Sequence, residues 1–208
     1  MASGQAPVKQ VLAVMARTPR AGQTKTRLQP SLGVEGAMAA HVDLVQDTLT
    51  RLERLPKVTT SLWVTEIDAV AQKWARSTQW PLRQQPDGDL GVRMHTILSQ
   101  LLDEGASSVC LIGTDCPLID AAYVEAAFSA ISEVDVVIGP AEDGGYGLIG
   151  LKSPAPELFS QMPWGESGVA ALTLERAVQA RLSVAQLPTI WDVDTPADWA
   201  RYVNWKRR

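Results

Sequence analysis

The sequence has few of the residues from which disulfide frameworks and metal clusters are built. It contains two cysteines, Cys110 and Cys116, and two histidines, His41 and His95, in 208 residues. Two cysteines cannot form a disulfide framework and indicate a reducing compartment. A zinc site made of histidine and cysteine is equally disfavoured.

Long apolar segments and an excess of positive charge are also missing. The first apolar run ends at Arg17 after about six residues, which is too short to span a membrane. The formal net charge of -4 disfavours a nucleic-acid binder. We therefore expect a cytoplasmic protein that binds neither nucleic acid nor membrane. Its length predicts a single domain over residues 1–208, with a loose leader at residues 1–9.

Short apolar runs alternate with segments of helical periodicity along the chain. Predicted strands cover residues 11–16, 58–65, 81–85, 108–113, 135–139, 146–151 and 183–187, and predicted helices cover 33–54, 67–76, 88–104, 120–131, 167–180 and 196–205. Strands and helices that alternate through short connections are typical of an α/β sandwich around a largely parallel sheet.

A loop rich in cations follows the first predicted strand. It carries Arg17, Arg20, Lys25 and Arg27 in a protein that is acidic overall. Open α/β sheets bind ligands beyond the carboxyl ends of their strands, and phosphate is a common partner of such cations. The alternative is that these residues only keep a loop soluble. The spacing of a Walker A loop is missing, which disfavours an ATPase of that type.

Carboxylates follow three further strands. Asp115 comes after strand 108–113, Asp143 after strand 135–139, and Asp192 and Asp194 precede the last helix. In a parallel sheet these acids would meet the basic loop at one edge. A phosphate beside carboxylates needs a bridging cation such as Mg²⁺ or Mn²⁺, so the pattern predicts a metal-bound nucleotide. The alternatives are that the aspartates cap helices or form turns.

Five motifs carry a family resemblance. They are the segment 19–28 (PRAGQTKTRL), 88–94 (GDLGVRM), 112–117 (IGTDCP), 139–150 (GPAEDGGYGLIG) and 192–196 (DVDTP). In this order they resemble the nucleotide-diphospho-sugar transferase superfamily, which has the GT-A fold. More closely, the chain resembles a small bacterial family of GT-A glycosyltransferases, some of them named for arsenosugar biosynthesis. The resemblance implies a Rossmann-like, three-layer α/β/α sandwich with a mostly parallel mixed sheet.

The resemblance also implies roles for individual residues. Asp115 and Asp194 would bind the metal ion, Mg²⁺ or Mn²⁺, and Asp115 and Asp143 would be catalytic. The residues implied to contact the nucleotide-sugar are Arg17, Arg20, Gly22, Lys25 and Arg27 at the phosphates, Gly88, Asp89 and Arg93 at the base and ribose, and Gly144, Gly145 and Tyr146 at the sugar or acceptor. The family's usual Asp-x-Asp is incomplete at Asp115-Cys116-Pro117, so a remote ligand must complete the metal shell.

Three functions fit these residues. The leading hypothesis is a metal-dependent glycosyltransferase with a nucleotide-diphosphate-sugar donor and a small-molecule acceptor. A second is a nucleotidyltransferase that acts on a nucleoside triphosphate and a phosphorylated small molecule, because residues 25–28 (KTRL) also resemble the basic loop of phospholactate guanylyltransferases. A third is a non-catalytic nucleotide-binding module. A homodimer is compatible with all three.

Overall fold

The centre of the molecule is one mixed β-sheet in the order β3-β2-β1-β4-β6-β5-β7. The computed structural model describes residues 9–207. Of the predicted leader at residues 1–9, only Lys9 falls within that range. The strands are β1 (Gln10–Ala16), β2 (Val58–Val64), β3 (Leu82–Gln84), β4 (Ser108–Ile112), β5 (Val136–Pro140), β6 (Tyr146–Leu151) and β7 (Val184–Gln186). Within the described chain every strand pairing is parallel except those of β6, which runs antiparallel to β4 and β5.

Helices cover both faces of this sheet. They are α1 (Gln29–Arg51), α2 (Ala69–Thr78), α3 (Leu90–Asp103), α4 (Ala121–Glu133), α5 (Val169–Gln179) and α6 (Pro196–Lys206), with short 3₁₀ turns at Thr26–Leu28 and Pro156–Leu158.

Alternate residues of β1 belong to two different hydrophobic clusters. Leu12 and Val14 pack with side chains of α1, α2 and α4, whereas Val11 and Ala13 pack with those of α3 and α5. Because successive side chains of a strand point to opposite faces of the sheet, the two clusters lie on opposite sides of β1. The predicted three-layer α/β/α sandwich is confirmed, and the apolar run of β1 is explained by burial on both faces.

Side-chain caps set where several helices begin. Asp68, Asp89 and Asp120 each accept a hydrogen bond from the backbone N–H three residues later, at the start of α2, α3 and α4. At α6, Thr195 and Asp198 form a capping box. Each cap satisfies backbone N–H groups that the first helical turn leaves unpaired, so the chain leaves the sheet edge at a defined angle.

Two elements differ from the sequence-based prediction. Helix α1 begins at Gln29 rather than at Gly33, and Gly33 interrupts it with a φ of 73°. Glycine adopts this positive φ without steric cost, so a short helical turn before Gly33 and the main, predicted helix after it meet there at a kink. Strand β6 is antiparallel because only the tight turn at residues 141–145 joins it to β5, and parallel neighbours need a longer crossover.

No helix in the described part of the chain combines the length and apolar character that a membrane crossing requires.

Candidate functional site

A cleft of about 590 Å³ opens where the parallel strands end. It is lined by the residues that follow these strands, including Arg17 after β1, Gln85 after β3, Asp115 after β4 and Asp143 after β5. This volume lies in the range of small-molecule and cofactor sites. The predicted convergence of the basic loop and the carboxylates on one edge is therefore present in the fold.

An ion pair between a buried lysine and a partly exposed aspartate lies in the cleft. The side chain of Lys25 is 7% exposed, and its Nζ is 3.0 Å from Oδ2 of Asp115. The same ammonium donates a hydrogen bond to the carbonyl oxygen of Val193. The second carboxylate oxygen of Asp115, Oδ1, is enclosed and has no hydrogen-bond partner in the structure. Asp115 therefore has one oxygen bound by a cation and one that is unsatisfied.

Two more carboxylates act on this centre. Burial raises the pKa of Asp192 to about 6, and the negative charges of Asp143 and Asp115 contribute to the same shift. Asp143 also accepts a hydrogen bond of 2.9 Å from the backbone N–H of Gly145, which orients its carboxylate in the β5–β6 turn. Three aspartates are thus close enough to repel one another through a partly buried medium.

The basic loop contributes three of its four predicted cations to the cleft. Arg17 and Lys25 line it, and Arg27 lies at its rim with Nη1 2.6 Å from Oδ2 of Asp194. Arg20 instead pairs with Glu66 and is not part of the lining. Arg17 also braces the loop by donating to the carbonyl oxygen of Gln23.

Of the three residues predicted at the base and ribose, one lines the cleft and two do not. Arg93 lines the cleft, and its Nε donates to the carbonyl oxygen of Gly88 at 2.8 Å. The carboxylate of Asp89 is used as the cap of α3. Gly88 and Asp89 are outside the lining, so they act on the cleft through the loop that they shape. Gly22 likewise makes a turn, with a φ of 77°.

The glycines of the β5–β6 turn allow this turn to pack closely against neighbouring backbone. Gly145 and Tyr146 line the cleft, whereas Gly144 lies behind it with a φ of 91°. A Cβ atom at Gly144 would lie 2.7 Å from the backbone nitrogen of Gly168. Tyr146 packs edge-to-face on Trp164, with ring centroids 6.4 Å apart. This segment brings the acceptor side of the predicted site to the cleft wall.

Two residues of the cleft make hydrogen-bond contacts with backbone carbonyl oxygens that the sequence does not reveal. His41 appears in the sequence as one more residue of an apolar helical stripe. In the structure its Nε2 lies 2.8 Å from the carbonyl oxygen of Arg17, and burial lowers its pKa. Gln85 donates from Nε2 to the carbonyl oxygens of Ala16 and Trp63. His41 thus holds α1 to the end of β1, and Gln85 joins the ends of β1 and β2. No spacing rule could have identified either contact.

Protein side chains alone do not supply a complete metal cage. Within residues 9–207 no group of three or more histidine, cysteine, aspartate or glutamate side chains is arranged to hold a metal ion. Cys116 lines the cleft, but burial raises the pKa of its thiol and keeps it protonated. The chemistry available at the cleft is therefore electrostatic: cations that bind phosphate, and carboxylates that attract a further cation.

Comparisons with known proteins agree with this fold and cleft. A crystal structure from Desulfovibrio desulfuricans G20, assigned as a nucleotide-diphospho-sugar transferase, is 34% identical with a TM-score of 0.82. That match covers 89% of this chain and 82% of the other. The fold and the comparison define the class of the protein: it is a transferase of the nucleotide-diphospho-sugar transferase superfamily, as the motifs predicted.

Residues 48–166 match the family model described as "Uncharacterized protein conserved in bacteria (DUF2064)". The chain belongs to this family. No protein of curated function matches it significantly.

More distant structures share the fold alone. A nucleotidyl transferase from Methanothermobacter thermautotroptrophicus has a TM-score of 0.66 at 13% identity, covering 96% of this chain and 98% of the other. CMP:2-keto-3-deoxy-manno-octonic acid synthetase, complexed with CTP, has a TM-score of 0.59 at 15% identity, covering 96% and 100%.

Proposed function

We propose that the protein is a metal-dependent glycosyltransferase that takes a nucleotide-diphosphate-sugar donor and a small-molecule acceptor. The observation that carries this proposal is the pairing of Lys25 with Asp115 at the centre of a cleft that holds both cations and unpaired carboxylates. The relative from Desulfovibrio desulfuricans supports the nucleotide-sugar class.

A divalent cation fits the residues at this centre. Asp115 has one carboxylate oxygen without a hydrogen-bond partner, and Asp143 lies near enough to Asp192 for its negative charge to help raise the pKa of Asp192. Mg²⁺ and Mn²⁺ prefer oxygen ligands, and Mg²⁺ is commonly held by one or two carboxylates together with substrate phosphates. Asp115 would be the first ligand. Asp194, now paired with Arg27, would be the second. When bound, the ion supplies charge stabilisation to the departing diphosphate.

The residues of the basic loop would position that diphosphate. Arg17, Lys25 and Arg27 come from one loop and face one cleft, so a diphosphate could contact them together. Fixed cations placed where negative charge develops are among the larger contributions to catalysis. The backbone at Arg17 is held in place by the hydrogen bond between His41 and the Arg17 carbonyl oxygen.

Asp143 is the residue proposed to act on the acceptor. Its carboxylate lies in the β5–β6 turn. Asp143 and Tyr146 both line the cleft, on a segment separate from the basic loop. In an inverting reaction it would remove the proton from the attacking hydroxyl. In a retaining reaction it would only position the acceptor.

Nucleotidyl transfer is the second candidate, because the depth of Lys25 fits that reaction as well as it fits glycosyl transfer. A nearly buried ammonium beside Asp115 is as well suited to an α-phosphate under attack as to a leaving diphosphate. In that reaction a phosphorylated small molecule would attack a nucleoside triphosphate and release pyrophosphate.

Two parallel assays separate these reactions. The protein is incubated with a panel of nucleotide-sugars and Mn²⁺ or Mg²⁺, and release of nucleoside diphosphate is measured. The same protein is incubated with nucleoside triphosphates and sugar phosphates, and release of pyrophosphate is measured. We expect metal-dependent release of nucleoside diphosphate. Asp43→Asn, an exposed position on α1, serves as a control that keeps activity.

The outcomes are distinct. Pyrophosphate release without diphosphate release would replace the first proposal by the second. Absence of any metal-dependent turnover of nucleotide-sugars, in a protein that is folded by circular dichroism, would refute glycosyl transfer.

A further inference from the structure

The ammonium group of Lys25 lies where the carboxylates of the cleft converge. It is held between Oδ2 of Asp115, at 3.0 Å, and the carbonyl oxygen of Val193. Val193 stands between Asp192 and Asp194 in the chain, and its own N–H donates to the carbonyl oxygen of Asp115 at 2.9 Å. One cationic group therefore joins the Asp115 turn to the segment before α6.

The backbone holds Lys25 in this place at a cost. Its φ of 47° and ψ of 48° lie in the left-handed region, which is unfavourable for a residue with a Cβ atom. The chain is then fixed directly by the 3₁₀ turn Thr26–Leu28, whose Leu28 is fully buried. The contacts of the ammonium group offset this cost, so its position is a built feature of the loop.

A divalent cation bound by Asp115 would need the carboxylate that Lys25 now neutralises. Two cations at one carboxylate repel each other, and the burial of the Lys25 side chain, which is 7% exposed, strengthens that repulsion. We propose that Lys25 and the divalent cation compete for Asp115, so that cation entry displaces the ammonium group. The inference rests on one part of the proposed function, namely that Asp115 is a ligand of the metal ion.

The displaced ammonium has a destination in the same cleft. A diphosphate held by Arg17 and Arg27 would lie within the loop that carries Lys25, and it would accept the ammonium in exchange for the lost carboxylate. Cation and diphosphate then bind cooperatively, because the cation releases the Lys25 ammonium for the diphosphate and the diphosphate draws the ammonium away from Asp115. Such coupling is reciprocal by thermodynamic necessity. Lys25 is thus a positioning residue that favours entry of the cation together with the diphosphate.

The variant Lys25→Met tests this competition, because methionine keeps the unbranched side chain and removes the charge. Binding of Mn²⁺ alone is measured by electron paramagnetic resonance, without any nucleotide. A charge-assisted hydrogen bond contributes about 1.5–3 kcal/mol, so its loss as a competitor is expected to tighten Mn²⁺ binding by about tenfold or more. Binding of inorganic pyrophosphate without metal is expected to weaken in the same variant.

Lys57→Met is the matched control. Lys57 also has a left-handed backbone, with a φ of 67°, but it is exposed and lies before β2, outside the cleft lining. Its replacement should leave Mn²⁺ and pyrophosphate binding unchanged. If Lys25→Met binds Mn²⁺ equally or more weakly than the wild type, the lysine supports the metal ligand instead of competing with the ion, and the inference is overturned.

A second measurement uses the unmodified chain and covers the case in which Lys25→Met does not fold. Acetylation of lysines is followed by mass spectrometry, with exposed Lys57 as the internal reference. Lys25 should react slowly at first, since its side chain is 7% exposed, and several times faster once Mn²⁺ is added to saturation. An unchanged rate overturns the inference. Neither experiment involves turnover, so failure of every nucleotide-sugar assay would refute the proposed function while leaving this result standing.

Discussion

Replacing Asp192 by asparagine is expected to stabilise the protein at pH 8 and to change its stability little at pH 4. The carboxylate of Asp192 is partly buried and faces the charges of Asp143 and Asp115, and only Lys25 favours its ionised form from a neighbouring side chain. Asparagine has nearly the same shape without the charge. The variant therefore removes an electrostatic cost that the wild type carries for its cleft.

The sign and size follow from the pKa. Burial and neighbouring carboxylates raise the pKa of Asp192 from 3.8 to about 6, so the folded state binds its proton more tightly than the unfolded state. Stability from this group is present below pH 3.8 and is lost as the pH rises through about 6. Each pKa unit corresponds to about 1.4 kcal/mol, which sets an upper limit of roughly 3 kcal/mol. Solvent screening of a partly exposed group reduces the expected gain to about 1–2 kcal/mol.

Urea unfolding of both proteins between pH 4 and pH 8, with a chelator present, measures this difference. A gain of about 1–2 kcal/mol corresponds to a rise of roughly 3–6 °C in the melting temperature of a domain of this size. Asp43→Asn on the exposed face of α1 should show no comparable pH-dependent gain. If Asp192→Asn is destabilised at pH 8, or if its gain is the same at pH 4, the carboxylates of the cleft are not in conflict and the reasoning fails.

Three further predictions concern other parts of the structure. Asp115→Asn should lower the turnover of a productive nucleotide-sugar by at least about a hundredfold, measured as diphosphate release at saturating donor. Gly91→Ala should lower the free energy of unfolding in urea by about 1–3 kcal/mol, because the new Cβ would lie 2.7 Å from a backbone carbonyl oxygen. Its control is Gly113→Ala, where nothing lies within 4 Å of the new Cβ. That variant should lose less than about 0.5 kcal/mol. Arg83 holds the pKa of Glu104 at about 2. Glu104→Gln should therefore lose less than about 1 kcal/mol at pH 7, and this difference should shrink as the pH falls from 4.5 towards 2, where the wild type loses the same stabilisation.

The order and type of the regular elements could be predicted because the core is built from short, local patterns. The run at β1 has no polar residue between Val11 and Ala16, and the structure buries it from both sides. The helix predicted to begin at residue 120 does begin there, with Asp120 as its cap. What the periodicity did not reveal was the short helical turn at residues 29–32, which the kink at Gly33 joins to the expected helix.

The convergence of the cleft could also be predicted, but its pairings could not. That Lys25 and Asp115 share an edge follows from their places after β1 and β4. That Lys25 reaches Asp115 while Arg27 reaches Asp194 depends on the left-handed backbone at Lys25 and on the path of the chain before α6. Such contacts join residues more than 80 positions apart, and no local periodicity encodes them. Arg20 illustrates the limit, because its pairing with Glu66 depends on where β2 ends.

The charges that line the cleft argue for a cation more strongly than any single motif does. The lining carries one more carboxylate than cations: Asp115, Asp143, Glu166, Asp192 and Asp194 against Arg17, Lys25, Arg27 and Arg93. Two of the cations are already paired with Asp115 and Asp194. A diphosphate entering this cleft would add at least two negative charges to a surface that is not positive. Positive charge that entered with the diphosphate would offset this repulsion, and under the proposed competition a divalent ion would also free Lys25 for the phosphates.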